Sequence, residues 1–532
     1  MATEARATHR KVRWSTPSPR PSAGTHAQPY RRRRPETTPL HRIVREHLET
    51  YLALAHEADP MGDGIPEHVE KEFRSYLRCG ILAHGFARAR CSGCGYEFLV
   101  AFSCKGRGAC PSCNAKRMAQ TAAHLVDHIF PHVPVRQFVL SVPKRLRPYL
   151  HHRPRTAGAV LHILLRALQA TLRAASPTAP ATASMGAVSF LHRFGSSLNP
   201  HFHFHLVVVD GLFERVGGNS DQNRADPESR LRFHEATALT PQLLERLQHT
   251  VRTRVLRHFR RHGLLEPHEA EDMLGWEHGG GFSLDGSVRI EATDRAGLER
   301  LIRYCARPPF ALDRLHLVSD RSDQVLYLLP GPDLTGRTAL RLSALEFLDR
   351  LAKILPPPRI HRHRYHGVFA PNAPLRPLVT AQAQEDNALA AQDLPLPQTS
   401  PAPAPKPQAP APQAPDTNPF QTSKWATLLA RIYEVFPLVC PTCHTPLTFI
   451  AFLTDPEPIA LILAHIGEPT SPPLIHPPRG PPQTELHMGP GEAKQNEAAQ
   501  KSFPDDLDQT PDYDPSDPEP IPEDHFDQSW AE

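Results

Sequence analysis

Leu198-Asn199-Pro200-His201-Phe202-His203-Phe204-His205-Leu206-Val207-Val208-Val209-Asp210-Gly211 is the stretch around which the chain is read. A proline precedes it, a β-branched run fills its second half, and an Asp-Gly turn signal ends it, so it reads as a buried strand. Side chains alternate along a strand, so His201, His203 and His205 share one face while Phe202 and Phe204 take the other. Neighbouring histidines on that face lie roughly 6–7 Å apart, from a rise of about 3.3 Å per residue. A cation in front of the strand can therefore take an imidazole nitrogen from two of them. The competing interpretation is a strand whose histidines line a wet surface, but apolar residues anchor this one.

The chain has 532 residues, enough for two or three domains, and its 59 prolines are unevenly spread. Composition and motif placement divide it into a basic tail over 1–38, a helical, cysteine-bearing part over 39–130, and a part over 131–380 that contains the histidine strand. A Pro/Ala/Gln-rich linker (381–421), a small segment with Cys440 and Cys443 (422–468) and an acidic tail (469–532) follow. The linker and tails cannot bury enough apolar surface to offset ordering entropy, so they are expected to be disordered. The formal net charge of +4 understates the basicity of the folded part, because acidic residues crowd the last thirty positions. That asymmetry points to a polyanionic partner such as nucleic acid. No apolar run is long enough to cross a bilayer and the start lacks the apolar core of a signal peptide, so a cytoplasmic, nucleoid-associated protein is expected. Nine cysteines in that setting imply thiols and metal sites rather than disulfides.

Cys91-Ser92-Gly93-Cys94 and Cys110-Pro111-Ser112-Cys113 lie fifteen residues apart, the spacing of two knuckles that grip one structural zinc ion. Cys79 and Cys104 are then spare thiols, buried bystanders by preference, with Cys104 the alternative that could displace one ligand. Lys105, Arg107, Lys116 and Arg117 put positive charge around the knuckles, as contacts to a nucleic-acid backbone. Cys440-Pro441-Thr442-Cys443 is half of a further site, with His444 or His465 as completing ligands.

Helices are predicted over 41–55, 67–82, 118–129 and 156–175, and a strand over Val135 to Val142. Ala187 to Phe194 is the expected hairpin partner of the histidine strand. Thr240 with Pro241 opens a long arginine-rich helix, Asp294 opens one that stops at Pro308-Pro309, and Ser343-Ala344-Leu345-Glu346 is a capping box. Strands are expected at 287–292, 314–318 and 324–329, and a last helix from Trp425 to Val435. The segment from Arg359 to Gly367 is basic and histidine-rich and reads as irregular.

A divalent ion on the histidine strand can polarise a phosphoryl oxygen. A tyrosine oxygen attacking that phosphorus keeps the bond energy in a covalent intermediate, as strand transfer requires. The run Pro200 to His205, its apolar continuation, and Arg303-Tyr304-Cys305-Ala306-Arg307-Pro308-Pro309 downstream resemble the HUH rolling-circle transposases. Cys91-x2-Cys94 and the run Phe102 to Cys113 resemble the zinc-binding domain that precedes the catalytic domain in the insertion-sequence-ninety-one kind of these transposases. The resemblance covers about residues 70–375. It implies an α+β fold, with an antiparallel HUH-endonuclease sheet flanked by helices behind a small zinc-binding domain. It also implies single-stranded DNA as substrate, catalytic Mg²⁺ or Mn²⁺, and a 5′-phosphotyrosine intermediate. Carried over, His203 and His205 match the metal pair, His201 precedes it, and Tyr304 matches the nucleophile. A second tyrosine one helical turn from Tyr304 is missing, since Arg300 and Pro308 stand there, which is the single-tyrosine pattern. The third ligand stays open among Asp, Glu, Gln and His201.

Tyr365 competes with Tyr304, since His363 and His366 flank it, but Tyr304 lies on a helix with Arg300, Arg303 and Arg307 within about one turn to hold phosphate. Two rival functions are a zinc-ribbon DNA-binding regulator without catalysis and a plasmid replication initiator or relaxase. The first leaves the alignment of three histidines unexplained; the zinc module argues against the second.

Overall fold

The computed structural model describes residues 32–60, 63–217, 229–318, 323–332, 336–392, 440–443, 445 and 447–479. They fall into two compact units, a small one of Arg32, 88–99 and the described part of 412–451, and a large one of the described residues of 33–87, 100–392 and 452–479.

The chain enters through helix α1 (Pro39–Ala58), where the Thr38 side chain caps the first turn by accepting from the His41 amide, and α2 (Glu67–Arg78). Strands β1 (Phe86–Cys91) and β2 (Glu97–Ala101) form a hairpin, and α3 (Pro111–His128) starts on a proline with Cys110 as its N-cap. Strand β3 (Val135–Ser141), short α4 (Arg147–His152) and amphipathic α5 (Pro154–Ala175) lead to the hairpin of β4 (Gly186–Phe194) and β5 (Pro200–Val209). Strands β6 (Gly211–Val216) and β7 (Arg230–Glu235) pair with each other. Helix α6 (Pro241–Arg261), capped by Thr240, and α7 (Pro267–Gly275) follow, then β8 (Ser283–Asp285) and β9 (Arg289–Ile290). The Asp294 side chain caps α8 (Arg295–Cys305) by accepting from the Gly297 amide. An antiparallel sheet of β10 (Leu315–Leu317), β11 (Gln324–Leu328) and β12 (Ala339–Ser343) precedes α9 (Ala344–Ile354), β13 (His363–Gly367) and α10 (Arg376–Gln392). Strand β14 (Leu447–Leu453) and helix α11 (Pro456–His465) end the described elements.

The principal sheet runs β13–β4–β5–β3–β8, with β9 also on β3, and every pairing is antiparallel. Its two faces bury different sets, as strand alternation requires. Phe202, Phe204, Leu206 and Val208 pack with Val160, Leu164 and Leu168 of α5 and with Val251 and Val255 of α6. Val188, Phe190, Val207 and Val209 pack with Leu125 of α3, Leu298 and Ile302 of α8, and Val379 of α10. Helices thus cover both faces, and the histidines of β5 lie on the α8 side. A further core joins α1, α2 and α9 to β10–β12, with Phe73, Leu348 and Phe347 at its centre. In the small unit the sheet order is β14–β1–β2.

Several expectations are corrected. The segment 359–367 is not irregular throughout, because His363–Gly367 pairs with β4, Tyr365 opposite Val188. The stretch assigned to the linker from 381 begins as helix, α10 continuing to Gln392 with Val379 and Ala383 fully buried. The tail assigned from 469 begins as packed chain, since the His476 amide donates to the Arg45 carbonyl and the Arg479 amide to Thr50 Oγ1. Helix α2 ends at Arg78, earlier than read, and α3 begins seven residues before the expected Met118. Asp210-Gly211 is a step between sheets: the fully buried Asp210 carboxylate accepts from Arg136 and Arg289, and at Gly211 a Cβ would come within 2.2 Å of the His234 carbonyl oxygen. The helix read at 425–435, the tail 1–31, and the rest of the linker and acidic tail lie outside the described residues.

Candidate active site and metal centres

Strand register creates the site. His192 of β4 pairs with His203 of β5, and His205 lies opposite Phe190 on one side and Val139 of β3 on the other. Paired residues face the same way, so His192, His203 and His205 form a triangle with ring centres 4.3–5.0 Å apart. One ring nitrogen from each lies within 4.8 Å of the others, and all three side chains are buried. His201 is not a member. Its carbonyl instead accepts from His203 Nδ1 at 3.1 Å.

The hydrogen bonds decide which lone pairs remain. His192 Nε2 donates to the Cys305 carbonyl at 2.6 Å, and His192 Nδ1 has no partner. The bond from His203 Nδ1 leaves its Nε2 as the acceptor nitrogen. His205 Nε2 also lacks a partner, and the amide nitrogen of buried Gln137 faces His205 Nδ1 at 3.0 Å. With the Gln137 oxygen turned to that nitrogen instead, Nδ1–H is held and the Nε2 lone pair is presented. Orphaned buried nitrogens of this kind fit a divalent cation. Burial pushes His203 down to about 4, aided by His201, and His205 to about 3, aided by His203 and Arg307. Burial also holds His192 well below its ordinary value, with His205 and His203 adding to the shift, so the triangle is neutral and ligand-ready at pH 7.

Phe194, stacked on His192 with ring centres 4.8 Å apart, and Tyr304 adjoin this triangle. The Tyr304 ring stands edge-on to His205, centres 5.5 Å apart, and the Arg307 guanidinium lies 4.6 Å from the Tyr304 ring centre. The C-terminus of α8 is anchored there by the His192–Cys305 hydrogen bond, which fixes the tyrosine helix to the same strand that supplies a histidine. Of the arginines nominated around Tyr304, Arg307, just past the end of α8, lies over the Tyr304 ring, Arg303 pairs with Glu299 at 2.5 Å, and exposed Arg300 pairs with Asp294 at 3.8 Å. Tyr365 stands on the edge strand, its ring against His363 and beneath Arg376.

A cleft of about 670 Å³ opens beside the triangle, with His192, Cys305, Arg307 and Tyr365 in its wall. Arg107, Arg117, Arg193, Arg362 and Arg364 also line it, and no Asp or Glu is among the described residues that do. Arg107 and Arg117 were nominated from sequence; the other three were not, because their convergence depends on β4 and β13 being neighbours. Lys105 is exposed at a left-handed φ of 54°, its carbonyl accepting from Arg117, while Lys116 is half-buried and pushed down by burial.

The nine cysteines are all unbridged, and eight of them form two groups that differ from the expected one. Cys110 and Cys113 converge with Cys79 and Cys104, whose sulfurs are 3.5–3.7 Å apart where they touch. A tetrahedral ion with bonds near 2.3 Å sets sulfurs about 3.8 Å apart, so the group fits zinc. The Cys104 amide donates to Cys79 Sγ and the Gly106 amide to Cys104 Sγ, bonds that favour thiolates. Cys91 and Cys94 instead converge with Cys440 and Cys443. Cys91 and Cys94 thus stand in a different group from Cys110 and Cys113, where spacing in the sequence joins the four in one site. Cys79 and Cys104, taken as spare, are ligand-competent; among the described residues His465 is in no cysteine group, and His444 lies outside them.

Residues 43–142 match a family described as “Transposase zinc-binding domain”, and residues 186–375 match one described as “Putative transposase”. The first span holds Cys79, Cys104, Cys110 and Cys113; the second holds the three histidines and Tyr304. No curated protein and no solved structure matches the chain.

Proposed function

The chain belongs to the transposases that carry a zinc-binding domain ahead of the transposase domain, and we propose that it cuts and rejoins single-stranded DNA through Tyr304. The observation that carries this reading is the approach of the Tyr304 ring to within 5.5 Å of His205, at the edge of a buried, neutral three-histidine set. His192, His203 and His205 would hold Mg²⁺ or Mn²⁺, which when bound polarises the phosphate and offsets its developing charge. Imidazole donors favour Mn²⁺ of the two. Tyr304 Oη attacks phosphorus, the 3′-oxygen leaves, and the strand stays joined through a 5′-phosphotyrosine. Attack by a 3′-hydroxyl reverses the step and completes transfer without an outside energy source. Arg307 lies where the phosphate must approach, and the arginine-lined cleft supplies a track for the strand.

Incubation with labelled single-stranded DNA and Mn²⁺ tests the proposal. It requires a denaturation-resistant protein–DNA adduct that chelation prevents. Binding without any adduct, over a range of DNA sequences and metals, would leave a DNA-binding regulator instead.

A further inference from the structure

Cys440 and Cys443 lie beyond both family matches, and the proposed chemistry uses neither. We propose that Cys91, Cys94, Cys440 and Cys443 hold a second zinc ion, separate from the one that fits Cys79, Cys104, Cys110 and Cys113. Its ligands come from two knuckles about 350 positions apart in the chain, so this ion clasps the C-terminal segment to the β1–β2 hairpin.

Five observations carry the assignment. The sulfurs approach as ligands of one ion do, Cys91 to Cys443 at 3.4 Å and Cys94 to Cys440 at 3.3 Å, too far for disulfide bonds. Both knuckles are closed by backbone hydrogen bonds, the Gly95 amide to the Cys91 carbonyl and the Cys440 amide to the Thr445 carbonyl. Gly95 has a φ of +76°, and a Cβ at Gly93 would lie 3.2 Å from Thr445 Oγ1, so glycine lets the two turns close on each other. Thr445 Oγ1 lies 2.9 Å from Cys91 Sγ and 3.0 Å from Cys443 Sγ, and its hydroxyl can donate to a thiolate. The fifth observation is energetic. Among the described residues, the hydrophobic centre around these cysteines is Cys91, Cys440 and Leu447, with Tyr96, Phe98 and Cys443 packed against it. So small a core does not offset chain entropy, and metal coordination supplies folding energy directly in such modules. Four thiolates in a closed tetrahedral set favour zinc over hard cations and leave no position for substrate.

The test counts sulfur–metal bonds in the full chain. In cobalt-substituted protein the thiolate-to-metal charge-transfer band reports only sulfur ligation, so ions on the histidine triangle do not contribute. The expected result is a halving of that band in C440S/C443S, the same halving in C91S/C94S, and no additional loss when the two pairs of changes are combined. An undiminished band in C440S/C443S overturns the proposal. Should either variant aggregate, alkylation of the zinc-loaded wild type decides: under graded chelation the four thiols become reactive together, apart from the Cys79 group. Cys440 and Cys443 reacting while Cys91 and Cys94 stay protected, or a disulfide among the four in reduced protein, overturns it equally.

Discussion

At the residue scale, the site rests on which nitrogen of each imidazole is left free. His192 owes its orientation to the Cys305 carbonyl, and His205 owes its own to Gln137. His192→Ala should lower Mn²⁺-dependent cleavage by about 100-fold or more while single-stranded DNA binding stays within about threefold, because affinity is spread over the arginines. Cleavage at the normal rate in this variant, measured at saturating Mn²⁺, would remove His192 from the site. Gln137→Leu should weaken Mn²⁺ binding about 10- to 100-fold with maximal cleavage largely restored at high metal, the behaviour of a residue that acts through a ligand. The histidines of β5 are legible in sequence because alternation by two is a local pattern. His192 is not, since its membership depends on a hairpin register that places it opposite His203. The same holds for Cys79 and Cys104: spacing favours the nearest regular pairs, and their convergence with Cys110 and Cys113 is a tertiary fact that spacing does not carry.

At the element scale, most boundaries follow from chemistry written locally. Thr240, Asp294 and the Ser343–Glu346 capping box each open the helix they signal, and α5 and β3–β5 follow their apolar periodicities. Strand β13 was hidden because its residues are basic and histidine-rich, so nothing in its composition announces a strand; pairing with β4 creates it. Asp210 does more than end β5. Its carboxylate is 1% exposed and accepts from Arg136 and Arg289 at 2.8–2.9 Å, joining β3, β5 and β9. Asp210→Ala strands two guanidinium groups and should cost about 3 kcal/mol in urea unfolding. A loss below about 0.5 kcal/mol would mean the pairs are solvent-screened and contribute little.

At the scale of the whole molecule, burial of neutral imidazoles ties stability to pH. His203 is held at about 4, and His205 and His366 at about 3, each by desolvation first, against an ordinary value near 6.5. As pH falls below about 6.5 the unfolded chain takes up protons that the folded chain refuses until about pH 4. Stability is therefore full above that window and declines within it, and the melting temperature in chelator should drop steadily from about pH 7 to pH 4.5. A flat profile would show that these rings are solvated. No helix among the described residues is long and apolar enough to cross a membrane, and the basic cleft points to DNA. The most direct measurement traps the adduct formed with single-stranded DNA and Mn²⁺, digests it, and locates the nucleotide-bearing peptide by mass spectrometry. The modified residue should be Tyr304, with the adduct absent in Tyr304→Phe and retained in Tyr365→Phe. An adduct on Tyr365, or one undiminished in Tyr304→Phe, would contradict the assignment of the active site.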